Sequence, residues 1–225
     1  MDQVIAAQQR LARAKRALGA ARQGEGWEAA RAAHTELLDA ERQLARARGE
    51  QYAQPIDLGV SWDAGSPLPH VISDSHRTIV IFYRPDPDPN WDGRYVNVVD
   101  AGQPGPAALG LVEFTGAYLT SFGGLNDEAM GGHPLYGRGL DFYCAHVVPD
   151  STWITAAERA NSVHPSHRGG WHQRYHHYVL CFHDETLECM AEDWRAEELS
   201  CSMAEALALA AARLASTPPR RDSTI

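Results

Sequence analysis

Eight of the eleven histidines, His133, His146, His164, His167, His172, His176, His177 and His183, lie between residues 133 and 183. Imidazoles at that density can ligate a metal or move a proton near neutral pH. The stretch RYHHYVLCFHDETLE, residues 174–188, sets three of them beside Asp184, Glu185 and Glu188. As a strand it carries His177, Val179, Cys181 and His183 on one face and His176 on the other. Six residues at about 3.3 Å each hold His177 and His183 roughly 20 Å apart, so they cannot bind one metal. With Asp184 and Glu185 as the loop of a hairpin, His183 faces Thr186 and Cys181 faces Glu188. Glu188 then sits diagonally from His183, roughly 5–8 Å away between Cβ atoms. An imidazole and a carboxylate so placed can share a proton or a divalent transition metal, Zn or Fe. Further metal ligands must come from elsewhere, with His146, within DFYCAHVV, or His133 as the candidates, and His146 is the expected third beside His183 and Glu188. The structural alternative is a core histidine whose ring nitrogens meet carbonyls or carboxylates.

A second group lies in GGLNDEAMGGHPLYGRG, residues 123–139, where six of seventeen residues are glycine. A loop of this length in a compact domain is more often functional than accidental. It can cover a pocket and contribute His133 and Arg138, the arginine binding a carboxylate or phosphate in two-point fashion. The expected catalytic set is therefore His183, Glu188, His133 and Arg138. Asp127 and Glu128 read as a solvated turn, and His164 with His167 in HPSH is a weak ligand pair. The loop lacks the strand–GxxxxGK[ST]–helix context of a phosphate loop. There is no G-x-S-x-G elbow and no protease-like cysteine context. Trp153, Trp171 and Trp194 read as core or interface anchors, and Trp91 as a pocket rim or partner contact.

These groups need elements to hold them. Residues 2–49 are rich in Ala, Arg, Gln, Glu and Leu, the strong helix formers. The GEG break at residues 24–26 divides them into two antiparallel helices, near 2–22 and 26–49. Val4, Leu11, Ala14 and Leu18 line one, and Trp27, Ala30, His34, Leu37, Leu38 and Leu44 the other. This narrow, alanine-rich stripe suits close pairing and a homo-oligomer or partner contact through residues 2–49. RTIVIFY from Arg77 is the clearest strand. Further strands are expected from Tyr95, Leu109, Ala117 and Asp141 and in HHYVLCF, with PDPDPNWDG as a surface loop. TWITAAERANSV is a short helix, capped through Thr155 and Glu158 or by Asp150 or Ser151. Ser202 and Glu205 open a final helix to Ser216, and the tail is loose. Strands with few helices between them predict an antiparallel sheet. The fold class is α+β: a helical hairpin over 1–50, a β-rich domain with a C-terminal helix over 51–217, and a flexible tail at 218–225.

Composition narrows the function. The net charge of −9 argues against bulk nucleic-acid binding. No apolar run approaches the roughly 18 residues that span a bilayer, and no secretory signal opens the chain. The four cysteines, Cys144, Cys181, Cys189 and Cys201, form no C-x-x-C pair, so free thiols in a reduced cytoplasm are expected. GGLNDEAMGGHPLYGRGL, DSTWITAAERANSVHP and HHYVLCFHDETLECMA together resemble an uncharacterised group of bacterial proteins, over residues 109–191. The resemblance implies a bacterial, cytoplasmic protein with one β-rich domain, and it carries over no catalytic residue. The expected function is a ligand-binding or assembly protein with a small-molecule or protein partner. The alternative is a metal-dependent or acid–base small-molecule enzyme with its site between the 183–188 hairpin and the 123–139 loop.

Overall fold

The computed structural model describes residues 2–24, 26–86 and 105–216. The chain runs α1 (Asp2–Gly24), α2 (Gly26–Arg48), β1 (Gln54–Ile56), β2 (His70–Ser73), β3 (Arg77–Tyr83), β4 (Ala107–Thr115) and β5 (Leu119–Gly123). It continues through β6 (Ala145–Val147), α3 (Thr152–Asn161), α4 (Trp171–Arg174), β7 (His176–Cys181), β8 (Thr186–Ala191), β9 (Asp193–Cys201) and α5 (Met203–Ala215). The strand expected from Tyr95, Trp91, most of the proline-rich loop and the 218–225 tail fall outside the described residues.

The single sheet expected is two sheets, ordered β1-β6-β7-β8-β5 and β2-β3-β4-β9. All of their pairings are antiparallel. They stack face to face: Val80, Phe82, Val112 and Phe114 meet Tyr178, Leu180, Phe182, Leu187 and Cys189. Trp62, Phe82 and Phe182 form its aromatic centre, with ring centroids 4.8–5.7 Å apart. Burial of each phenylalanine there contributes about 1.5–3 kcal/mol.

The other face of the four-stranded sheet is closed by α5, whose Met203, Ala206 and Ala210 pack on Ile79, Ile81, Leu109 and Leu111. Both sides of β3 are therefore covered, and all seven of its residues are buried. This is why RTIVIFY reads as a continuous apolar run and not an alternating one. The Ser202/Glu205 capping box expected for α5 is present. Arg77 closes its other end, donating to the carbonyls of Arg213, Leu214 and Ser216 while held by Asp74. A cation on the last carbonyls of a helix satisfies orphan acceptors and complements the dipole. DWRAEELSC forms β9, a strand that its helix-favouring, charged composition conceals. It pairs with β4 along nine residues, its charges lie on both faces with Arg195 paired to Glu113 and Glu197 to Arg213, and as an edge strand it tolerates them.

The helical hairpin is as expected, but its apolar stripe is used within the chain. Ala7, Ala14, Leu18 and Ala21 are buried along α1, and Leu38, Ala40, Leu44 and Ala45 along α2. Val4 and Leu11 are half-buried. Trp27, assigned to the second stripe, is 79% exposed because it lies in the first turn of α2 at the hairpin tip. The side of α2 that carries His34, Leu38, Glu41 and Ala45 docks on the body of the protein. Arg42 donates to the carbonyls of Ala53 and Gly139, Glu41 accepts from the Gly139 amide, His34 meets Asp141, and Arg46 meets Tyr52. Among the described residues no helix is long and apolar enough to cross a membrane.

Candidate functional site

The face of the five-stranded sheet turned away from the sandwich carries His177, Val179 and Cys181 of β7 and Glu188 and Met190 of β8. Residues 123–143 cover it at one end, placing Met130, Leu135 and Leu140 on Val179 and Cys181. At the other end α3 places Ile154 on Met190.

The hairpin between β7 and β8 turns one residue earlier than expected. Cys181 pairs with Thr186, and the Phe182 amide donates to the Glu185 carbonyl at 2.9 Å, so His183 and Asp184 are the loop. The change moves the register by two residues, which leaves every side chain on its face but changes its neighbours. Glu188 now lies opposite Val179 rather than Cys181, and its diagonal histidine is His177, not His183. Neither His-Asp nor Asp-Glu is a strong hairpin dipeptide, so the sequence does not distinguish the two registers.

Glu188 is flanked by two imidazoles. His177 Nε2 lies 2.9 Å from one carboxylate oxygen, and His133 Nε2 lies 3.7 Å from the other, past hydrogen-bond length. The His133 and His177 side chains are 4% and 3% exposed, and Glu188 is 20% exposed. Tautomers follow from the far nitrogens. The Leu135 amide donates to His133 Nδ1 at 3.1 Å, so the neutral ring carries its proton on Nε2. Ser151 caps α3, its Oγ accepting from the amides of Trp153 and Ile154, and lies 2.9 Å from His177 Nδ1. With its acceptor capacity taken, the hydroxyl gives its own proton to Nδ1, and Nε2–H of His177 is left for Glu188. The Trp153 ring stacks on His177 at 4.7 Å between centroids and 3° between planes. Burial pushes the Glu188 carboxyl up, but the two imidazoles outweigh it and hold it at about 2. His133 Nε2 itself is buried with no hydrogen-bond partner.

The other residues expected in the site lie apart from this cluster. His183 is at the loop tip, bonded to Asp184 at 2.9 Å and 3.9 Å from Asp127, which together raise its pKa. His146 shares a face with Glu188 but stands two strands away, roughly 10 Å by strand spacing. Its Nε2 accepts from the Asp141 amide at 3.2 Å, leaving a buried Nδ1 without a partner. Burial, followed by the Arg42 charge, pushes its pKa down to about 4. Arg138 pairs with Glu50 at 3.5 Å. His183, Glu188 and His146 thus do not converge on one ion. Among the described residues no three His, Cys, Asp or Glu side chains are arranged to hold a metal. In the cluster itself both Nε2 atoms carry protons, whereas a metal needs their lone pairs. Burial pushes Cys144 up to about 12 and Cys189 to about 11, away from the thiolate range of reactive cysteines.

Sequence reasoning found His133 and Glu188 and missed His177 and Trp153. Ser151 was legible only as a helix cap. Strand alternation did place His177 on the face of Glu188; the position of the turn was the missing information. No protein-family model, curated protein or solved structure matches the chain.

Proposed function

We propose that the protein binds a small polar molecule at the His133–Glu188–His177 cluster, and that the cluster works by hydrogen bonding rather than by metal or acid–base chemistry. The observation that carries this is the buried Nε2–H of His133, unpartnered, with a Glu188 carboxylate oxygen 3.7 Å away. A donor left dry and unpaired costs about 1–3 kcal/mol, and a ligand acceptor that takes the place of the Glu188 carboxylate beside it removes that cost. Glu188, 20% exposed, is the member of the cluster that solvent reaches, while both imidazoles are closed off. A carboxyl held at about 2 is ionised and weakly basic at neutral pH, which favours binding over general-base catalysis.

A fragment screen by NMR on isotope-labelled protein tests the reading. Hits should shift the amides of residues 132–135, 151–153, 177 and 188, and His133→Phe should abolish those shifts. Hits that perturb only other surfaces, or no hits, would overturn it.

A further inference from the structure

We infer that β5 is a surface for self-association, on which two copies of the chain join their five-stranded sheets edge to edge about a two-fold axis. Four strands end the two sheets: β1 and β5 in one, β2 and β9 in the other. An open edge presents unpaired amides and carbonyls, and proteins blunt it with proline, charge, shortness or cover. β1 has three residues with Pro55 at the centre, and Arg42 binds the Ala53 carbonyl just before it. β2 has four residues. β9 carries Asp193, Arg195, Glu197 and Glu198. β5, LTSFG, is five residues long with neither proline nor charge. No strand lies along its outer side among the described residues. Nor is it covered: Leu119, Ser121 and Phe122 are exposed, as is Tyr118 just before it.

The sequence of the strand selects a second copy as its partner. A two-fold axis through the sheet pairs a strand antiparallel with itself and keeps each face on its own side. Leu119 and Ser121 stand opposite Met190 and Glu188 on the outward face. Thr120 is turned to the sandwich, its hydroxyl 2.7 Å from that of Thr78, and Phe122 shares its side. With the axis at Ser121, that residue meets its own copy, Leu119 meets the partner's Gly123, and Phe122 meets the partner's Thr120. Each exposed apolar side chain therefore faces a smaller residue, and no charge faces another. There is room for the leucine, because a Cβ at Gly123 would have no atom within 4 Å. The same operation on β9, centred on Glu197, sets like charges directly opposite each other, which is destabilising. On β1 it places Pro55, which has no amide, at the axis. Only at β5 is the edge compatible with its own copy along its full length.

A single strand pair is a small contact, below the roughly 1,200 Å² of stable interfaces, so the association is weak and depends on concentration. Sedimentation velocity on the full chain, from micromolar to millimolar concentration, tests it. The native mass should climb toward twice that of the chain, and amide exchange at residues 119–123 should slow as it does. Ser121→Lys and Ser121→Glu, at an exposed position, each set like charges together on the axis. Each should weaken association by about tenfold or more, and an equimolar mixture of the two should restore it. A chain that stays monomeric throughout would overturn the inference and leave the edge to a strand of another protein. Association that both variants leave unchanged would also overturn it, placing the contact elsewhere, the helical hairpin included. A mixture no stronger than either variant alone would refute the two-fold pairing.

Discussion

His146 and Glu188 stand in one row of the sheet, and burial acts on them in opposite ways. The Glu188 carboxyl is stabilised in its charged form by two imidazoles. The His146 ring, with an unpartnered Nδ1, is stabilised in its neutral form. The stability each confers therefore has its own pH window. Below the ordinary histidine value of 6.5 the unfolded chain protonates residue 146 while the folded chain does not until about 4. Stability falls across that window, by about 3 kcal/mol at its foot. The Glu188 contribution is present above the ordinary carboxylate value of 4.5 and is lost as pH falls toward about 2. Urea denaturation between pH 7 and pH 4 should show the first loss, and His146→Met should flatten it; an unchanged slope in the variant would refute the assignment. Residue types were legible in the sequence at this scale, and partners were not. Glu188 and His133 could be nominated from chemistry alone, but a turn displaced by one residue exchanged His183 for His177.

At the scale of elements, the strongest patterns in the sequence became the expected structures. The capping box of α5, the two helices of the hairpin and the covered strand β3 each carry a local signal that agrees with their surroundings. Of the elements that escaped, β9 is the longest, and it owes its conformation to pairing with β4, a tertiary contact that overrides its own preference. The 123–139 segment combines both cases: its glycines announced a loop, and one of them has a specific task. Gly139 has φ +85, and a Cβ there would run into the Arg42 side chain. Since α2 grips the loop through that contact, Gly139→Ala should destabilise the protein by about 1–3 kcal/mol, through backbone strain and a displaced Arg42. Chemical denaturation checks it, and a loss below about 0.5 kcal/mol would mean that the loop accommodates the methyl freely.

For the whole molecule, the hairpin is a brace set against the loop that carries His133. Ala40 and Leu44 share one side of α2, and its other side, with Leu38 and Ala45, is spent on Gly139, Asp141, Ala53 and Tyr52. Deleting residues 1–50 should speed amide exchange across residues 131–141 while β3 and β4, on the far sheet, keep their protection. Equal protection in both would show that the loop holds without the brace. A fall in native mass by light scattering would show that residues 2–49 also carry assembly. The number of sheets was not legible, because alternation assigns faces to strands without saying which strands share a sheet.

The order of strands also dictates an order in time. β4 ends at Thr115, but its partner β9 begins only at Asp193; β5 waits likewise for β8. Both sheets are closed by the last quarter of the chain, so a nascent protein that has emerged as far as α3 has open strand edges and few finished pairings. Contacts so distant in sequence make for slow folding and prolonged exposure of apolar strands such as β3. The helical hairpin, whose contacts are local, can by contrast form as soon as its own residues have left the ribosome.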